Sequence, residues 1–168
     1  MVARVRRQEP ADRAGASEVL AAAFGRSSEG ALADRLCARG DTFALVAAGE
    51  RELLGCVVFV PVEIVGACLE RQPMAVGLIG VRPTWQSQGI GGELLQRGVE
   101  ECRSRRAGLI VVIGPAGFYG RFGFVPAAPL GIRCRWKVPE PLFRVLELVP
   151  GEVSRANGVV RYLREFST

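Results

Sequence analysis

The sequence predicts an α/β domain in which helices cover a mixed β-sheet. Apolar runs of strand length lie at 43–48 and 53–60, and the short turn between them predicts an antiparallel hairpin. Farther along, the apolar runs 75–81 and 109–113 flank a segment with the helical period at 89–106. A strand, a helix and a strand in that order imply a right-handed parallel crossover. A hairpin together with a crossover gives a sheet with both antiparallel and parallel strands.

Two more helices are expected in the first quarter of the chain, after opening residues that alternate like a short edge strand. Apolar residues recur with the helical period over 12–24, and Gly25 stands where a helix ends. Ser27 or Ser28 is placed to cap a second helix that extends through Arg39. The chain therefore begins with a strand and two helices, ahead of the hairpin.

The strongest helix is predicted over 89–106. Its apolar residues form one stripe, and acidic and basic residues lie four apart, as in Glu101 and Arg105. Basic residues gather near its C-terminal end, where the helix dipole favours positive charge. The stretch 61–73 is harder to assign, and we expect a strand extension followed by a loop.

Length and composition are those of one globular domain, residues 1–168. The chain is 49% hydrophobic and 23% charged, which permits a sizeable core without metal or disulfide staples. No apolar run approaches the roughly 20 residues that span a bilayer. Because no apolar stretch follows the basic N-terminal residues, we expect no signal peptide and a soluble, cytoplasmic protein.

The chain contains no histidine, and this excludes whole classes of active site. Ser-His-Asp and Cys-His arrangements and the usual zinc sites all need histidine. The five cysteines are scattered singly, without a CxxC pair, so we expect reduced thiols and no metal. The net charge of +5 is spread along the chain, whereas nucleic-acid binding needs a denser basic face. We expect attraction for an anionic small molecule, and neither a nucleic-acid nor a membrane partner.

A glycine-rich loop precedes the strongest helix, in the stretch VRPTWQSQGIGGELL at 81–95. Glycine lets a ligand approach the backbone, and a helix start directs free N–H groups and a positive dipole end at the same place. A nucleoside-triphosphate loop needs GxxxxGK[ST], but the single lysine is Lys137. A dinucleotide fingerprint needs a third glycine where Leu94 stands. The pattern that fits is Gln86-x-x-Gly89-x-Gly91; the alternative is a loop that only reverses the chain.

This pattern resembles the acyl-CoA-binding motif of the GNAT family of N-acetyltransferases. The segment GPAGFYGRFGF at 114–124 resembles a bacterial subgroup of the YhbS type, and GVVRYLREF at 158–166 resembles the closing strand of that subgroup. The resemblance covers nearly the whole chain. One departure is Pro115, where members of the subgroup often carry aspartate, and this puts a local hydrogen bond in doubt.

The resemblance implies a GNAT-type fold, with a mixed central sheet flanked by helices on both faces, and acetyl-CoA as co-substrate. The implied reaction is direct attack of an amine on the thioester in a ternary complex, with a small primary amine or a peptide amine as acceptor. The alternative is a non-catalytic acyl-CoA-binding protein that regulates a partner. A homodimer is a further expectation, since the C-terminal strand could pair across subunits.

The resemblance also indicates which residues hold the cofactor. Backbone amides from Gln88 to Gly92 converge on the pyrophosphate, while the Gln86 side chain braces the loop or touches phosphate. Strand residues 78–81 splay from the neighbouring strand and offer backbone groups to the pantetheine and to the oxyanion. Gly77 and Gly80 suit either this close approach or simple tight packing. The expected cofactor-binding residues are Leu78, Ile79, Gly80, Val81, Gln86, Ser87, Gln88, Gly89, Ile90, Gly91 and Gly92.

Tyr119 is the candidate catalytic acid for the leaving thiolate. A phenol with an ordinary pKa of about 10 is protonated at neutral pH and can donate to a thiolate whose conjugate acid is near 8.5. Without the resemblance, the aromatic run around it would favour a packing role.

No general base is assigned. Many members of the family place a glutamate on the strand before the loop, but residues 75–81 contain no carboxylate. Glu63, Asp41 and Glu29 are candidates, and each could equally be a surface charge. The acceptor pocket is expected from the N-terminal helices and the loops around 61–73 and 126–141.

Overall fold

Apolar runs and amphipathic segments form the long elements of the computed structural model, which describes residues 3–167. The strands of this part are β1 (Arg4–Arg7), β2 (Phe43–Ala48), β3 (Leu53–Pro61), β4 (Glu63–Val65), β5 (Met74–Val81), β6 (Leu109–Ile113), β7 (Val125–Pro126), β8 (Ile132–Cys134), β9 (Phe143–Glu147) and β10 (Gly158–Arg161). The helices are α1 (Arg13–Phe24), α2 (Ser28–Cys37), α3 (Ile90–Ser104) and α4 (Ala116–Tyr119). The chain forms two compact units, and β5 and α3 contribute residues to both. The first unit contains 3–60, 77–100 and 165–167; the second contains 61–76 and 101–164.

In the first unit, strands pair in the order β1-β2-β3-β5, and β2 is antiparallel to both β1 and β3. Side chains of β3 alternate between the two faces, as the pleat requires. Gly55 and Phe59 face α3, whereas Cys56, between them, faces α2 and hydrogen-bonds Gln8. The predicted arrangement, with helices on both faces of the sheet, is confirmed for this unit.

The two N-terminal helices pack against each other and bury Val19, Leu20 and Leu36 completely. α1 ends as predicted at Gly25, whose φ of 71° is the left-handed conformation that glycine favours.

The bounds of α2 differ from the prediction at both ends. It ends at Cys37 instead of Arg39, and the Thr42 hydroxyl donates a 2.8 Å hydrogen bond to the Leu36 carbonyl beside this end. Ser27 makes no side-chain capping bond, and the Ser28 hydroxyl donates to the Glu29 carboxylate. The two serines therefore do not cap the helix in the predicted way.

In the second unit, strands pair in the order β5-β6-β9-β7. β5 and β6 are parallel through the pairs Met74↔Ile110 and Ala75↔Val111, which confirms the predicted crossover. β6 and β9 are antiparallel over five residue pairs, and the fully buried Leu109 and Ile110 place this ladder in the core.

A second sheet of three strands in this unit has the order β4-β10-β8. The strand predicted over 158–166 is only partly confirmed, because β10 ends at Arg161 and a 3-10 turn follows at Arg164–Ser167. β4 and β8 occupy both edges of β10. β10 therefore has no open edge at which to pair across subunits, and the expected homodimer stays a prediction.

α3 is the longest helix among residues 3–167, with 15 residues, and no helix in this range is long and apolar enough to cross a bilayer. It lies very close to β3. A Cβ atom on Gly98 would overlap the ring of Phe59, which is fully buried and stacked on Phe43 with ring centroids 5.0 Å apart. Glycine at this position therefore sets the distance between the helix and the sheet.

We expect Gly98→Ala to destabilise the protein by about 1–2 kcal/mol, although alanine favours a helix over glycine by about 1 kcal/mol. The cause is overpacking against Phe59. Chemical denaturation should show this loss, whereas Gly40→Ala, where a Cβ would meet no atom within 4 Å, should change stability little. A stabilised Gly98→Ala protein would contradict the contact.

Candidate functional site

The loop between β5 and α3 adopts backbone conformations that side chains disfavour. After a 3-10 turn at Pro83–Trp85, Ser87 has a φ of 65° and Gly89 a φ of 84°. Left-handed conformations are uncommon for a residue other than glycine, and they cluster at functional sites. The sequence motif marks Gly89, but nothing in it indicates the conformation of Ser87.

Backbone N–H groups without an acceptor in their own helix follow this exposed loop. The first intrahelical bond of α3 runs from the Glu93 N–H to the Gly89 carbonyl, at 3.0 Å. The N–H groups of Ile90, Gly91 and Gly92 precede it, so they have no carbonyl of their own helix to bond. Residues 86–89 are exposed, and a Cβ on Gly89 would meet no atom within 4 Å. Amides that converge in this way form a concavity suited to an anion.

Two side chains hold the loop in place. The Gln86 amide nitrogen donates a 3.0 Å hydrogen bond to the Val81 carbonyl, which is the bracing role expected for this residue. Arg82 joins the loop to β3, since its Nε donates to the Leu53 carbonyl at 2.7 Å and its backbone N–H donates to Leu54 at 2.8 Å. Sequence reasoning missed Arg82, although a basic residue directly before Pro83 was a visible signal.

β5 leads into this loop, and its parallel ladder with β6 is short. Within residues 3–167 the ladder consists of two residue pairs, formed by Met74 and Ala75 of β5. The strand residues Leu78, Ile79, Gly80 and Val81 therefore lie beyond its end. A Cβ on Gly80 would lie 2.8 Å from the Cβ of Ala23 in α1. Tight packing against α1 is therefore a sufficient reason for glycine at this position. It is one of the two interpretations that the sequence allowed, the other being close approach of the coenzyme.

Tyr119 lies in the second unit, at the end of α4. Its ring is 4% exposed and packs edge-on against Phe118 and Phe124, with centroids 4.9 and 5.6 Å away. A Cβ on Gly114 would overlap the ring, so glycine is required there. Burial raises the pKa of Tyr119 to about 12, because the apolar surroundings disfavour the phenolate. The phenol is therefore a hydrogen-bond donor throughout the ordinary pH range.

Arg144, which sequence reasoning also missed, lies beneath the segment that carries Tyr119. Its buried guanidinium donates to the Phe124 carbonyl at 3.0 Å and to the Pro141 carbonyl at 2.9 Å. These backbone carbonyls accept the hydrogen bonds of guanidinium N–H groups that are buried away from water. It joins the 3-10 turn before β9 to the end of the tyrosine segment. The sequence gives no signal for this role, because Arg144 is one arginine among many.

The three carboxylates considered as bases are each paired with an arginine. Glu63 is exposed and accepts hydrogen bonds from Arg161. The Arg39 guanidinium binds both oxygens of Asp41 and lowers the pKa of that carboxyl.

Glu29 is buried, and hydrogen bonds from Ser28 and Arg26 lower its pKa despite the burial. A lowered pKa makes a carboxylate a weaker base. The base stays unassigned.

Two of the cysteines, Cys56 and Cys102, are buried. Burial raises the pKa of Cys102 to about 12 and raises that of Cys56 as well, so these thiols stay protonated. In the part of the chain that the structure describes, no group of three or more His, Cys, Asp and Glu residues could hold a metal ion.

Comparison with known proteins gives a consistent result. The family model described as acetyltransferase (GNAT) domain matches residues 40–126. The uncharacterized N-acetyltransferase YhbS of Escherichia coli (strain K12) is 30% identical over 165 residues, which cover 97% of this chain and 98% of that protein.

Two solved structures are also similar. The crystal structure of Escherichia coli YhbS in complex with CoA has a TM-score of 0.92 at 28% identity, covering 100% of this chain and 93% of that one. A GNAT family acetyltransferase from Brucella melitensis in complex with acetyl-CoA has a TM-score of 0.79 at 32% identity, covering 98% and 97%. With a matching family model over half of its length and a relative this similar over nearly all of it, the chain belongs to the GNAT acetyltransferase family.

Proposed function

We propose that the protein transfers an acetyl group from acetyl-CoA to a primary amine, on a small molecule or a peptide, by direct attack in a ternary complex. The observation that carries the proposal is the set of amides at the start of α3 that lack an intrahelical acceptor, preceded by the exposed, left-handed Ser87 and Gly89. A pyrophosphate is an anion that such amides bind well. Relatives crystallised with CoA and with acetyl-CoA support the choice of this ligand.

The coenzyme lies along β5 in this proposal. Its pyrophosphate binds the amides of Gln88 to Gly92, and the pantetheine extends back beside Leu78–Val81, beyond the end of the ladder with β6. The amine nitrogen attacks the thioester carbon, a backbone N–H of β5 donates to the oxyanion, and the carbon–sulfur bond then breaks. The nitrogen loses its proton to water, and the sulfur leaves with the coenzyme as a thiolate.

Tyr119 donates a hydrogen bond to the departing sulfur. Complete proton transfer from a phenol with a pKa of about 12 to a thiolate whose conjugate acid is near 8.5 is uphill by roughly 5 kcal/mol. A hydrogen bond to the developing charge stabilises the transition state without that cost. We therefore assign Tyr119 the role of a donor to the thiolate, with proton transfer to sulfur after the chemical step.

Gly89→Ala should weaken CoA binding, because a φ of 84° costs an L-residue about 1–2 kcal/mol while the new methyl group meets no atom. We expect calorimetry to show that the affinity for CoA falls by up to about tenfold. Asparagine adopts the left-handed conformation more readily, so Gly89→Asn is the matched variant and should retain more affinity. Equal affinity in both variants and the unchanged protein would mean that the loop does not hold the coenzyme.

Tyr119→Phe should lower kcat by about a hundredfold or more and leave the affinity for CoA nearly unchanged. The substitution removes only the hydroxyl and preserves the ring that packs on Phe118 and Phe124. Steady-state kinetics with the best amine of a panel, beside calorimetry with CoA, separates the two effects. Unchanged turnover would remove Tyr119 from the mechanism.

The pH dependence should show one rising limb. An amine must lose its proton before attack, so kcat/KM rises with pH as the free amine becomes available. Tyr119 keeps its proton below a pKa of about 12, so no falling limb is expected from it between about pH 6 and pH 10. A profile of kcat/KM that fell in the upper part of this range would show that a group with a lower pKa is the donor.

The competing function is a regulatory acyl-CoA-binding protein without catalysis. Release of free CoA from acetyl-CoA, followed across a broad panel of amines, distinguishes the two. Tight binding of acetyl-CoA with no acyl transfer to any amine would favour the regulatory function. Absence of binding would exclude both.

A further inference from the structure

A turn near the end of the chain packs against β5 in the first unit. The turn spans Arg164–Ser167, and the half-buried Phe166 points at Gly77. A Cβ on Gly77 would lie 3.2 Å from the tip of the Phe166 ring and 3.2 Å from Val60. A side chain at position 77 would therefore crowd the ring.

Two arginines, Arg35 in α2 and Arg39 just after its end, hold this turn in place. Arg39 donates from Nη1 to the Glu165 carboxylate at 2.9 Å, and Arg35 donates to the Glu165 backbone carbonyl at 3.5 Å. The Glu165 side chain is only 19% exposed, so this ion pair is partly shielded from solvent. Phe166 follows Glu165 directly, and its position against β5 is set by these contacts.

The direction of the coenzyme, which rests on the proposed function, determines what Phe166 faces. The pyrophosphate binds beyond the C-terminal end of β5, so the pantetheine extends toward the N-terminal end of the strand. Gly77 lies four residues, or about 13 Å, from Val81 in that direction. It is the residue directly before Leu78–Val81, at the end where the thioester and its acyl group lie.

We propose that Phe166 closes the acyl end of the site and restricts the donor to short acyl groups, acetyl above all. Beyond the thioester, a longer acyl chain meets the aromatic ring and the Gly77 backbone. An apolar wall of this kind discriminates by roughly tenfold or more for each methylene that it excludes. Phe166 is thus a specificity-determining residue, and the proposal requires no particular acceptor.

The test is calorimetry with acetyl-CoA and hexanoyl-CoA, which needs no acceptor amine. The unchanged protein should bind acetyl-CoA at least about tenfold more tightly than hexanoyl-CoA, and Phe166→Ala should reduce the ratio to about threefold or less. Phe24→Ala is the matched control, since the Phe24 ring lies 3.8 Å from a Cβ on Gly80, nearer the pyrophosphate. It should leave the ratio unchanged.

Phe166→Leu keeps an apolar side chain in the same place and decides the outcome if the alanine variant does not fold. It should give a ratio between those of the unchanged protein and Phe166→Ala. An unchanged protein that binds both ligands equally, or a ratio that neither variant moves, would overturn the proposal while the function stands. No binding of either ligand to the unchanged protein would instead overturn the proposed function.

Discussion

The organisation of the first unit depends on how closely α3 approaches β3. Each of the two elements has a glycine at the contact. In β3, a Cβ on Gly55 would lie 2.9 Å from Leu94 of the helix; in α3, Gly98 leaves room for the ring of Phe59 of the strand. Side chains at either position would push the helix outward and tilt its first turn. Because the N-terminal amides of the helix must meet at one place at the end of β5, this close packing determines the geometry of the loop that precedes it.

The loop itself combines a rigid frame with a strained backbone. Gln86 and Arg82 bond carbonyls of β5 and β3, and directly after these anchors Ser87 and Gly89 have left-handed conformations. Strain of this kind persists where surrounding contacts over-determine the backbone. In the proposed function, the amides at the start of α3 are therefore held ready before any ligand arrives, which reduces the entropy lost on binding.

Periodicity and turn chemistry predicted most of the fold. The helix ending at Gly25, the hairpin of β2 and β3 and the crossover from β5 to β6 all follow from local patterns. The prediction was wrong where contacts outside the local sequence pattern decide the outcome. Thr42 bonds the Leu36 carbonyl where α2 ends, and strands far apart in sequence enclose β10 on both sides.

The candidate site divides in the same way. Residues 86–92 belong to a motif and could be found from their spacing, and Tyr119 from the resemblance. Other features could not be predicted, because they depend on the three-dimensional surroundings. They are the conformation of Ser87, the pKa of Tyr119 and the arginine partners of Glu63 and Asp41. Phe166 gave no sequence signal, since its partner Gly77 lies nearly ninety residues earlier in the chain.

The anchoring of the tyrosine segment by Arg144 has a consequence for the conditions under which the protein keeps its shape. The acceptors of the Arg144 guanidinium are the carbonyls of Phe124 and Pro141, which neither gain nor lose protons. Acidification that neutralises carboxylates and breaks ion pairs leaves this clamp intact. The aromatic segment should thus keep its local fold in acid long after the surface pairs elsewhere have dissociated.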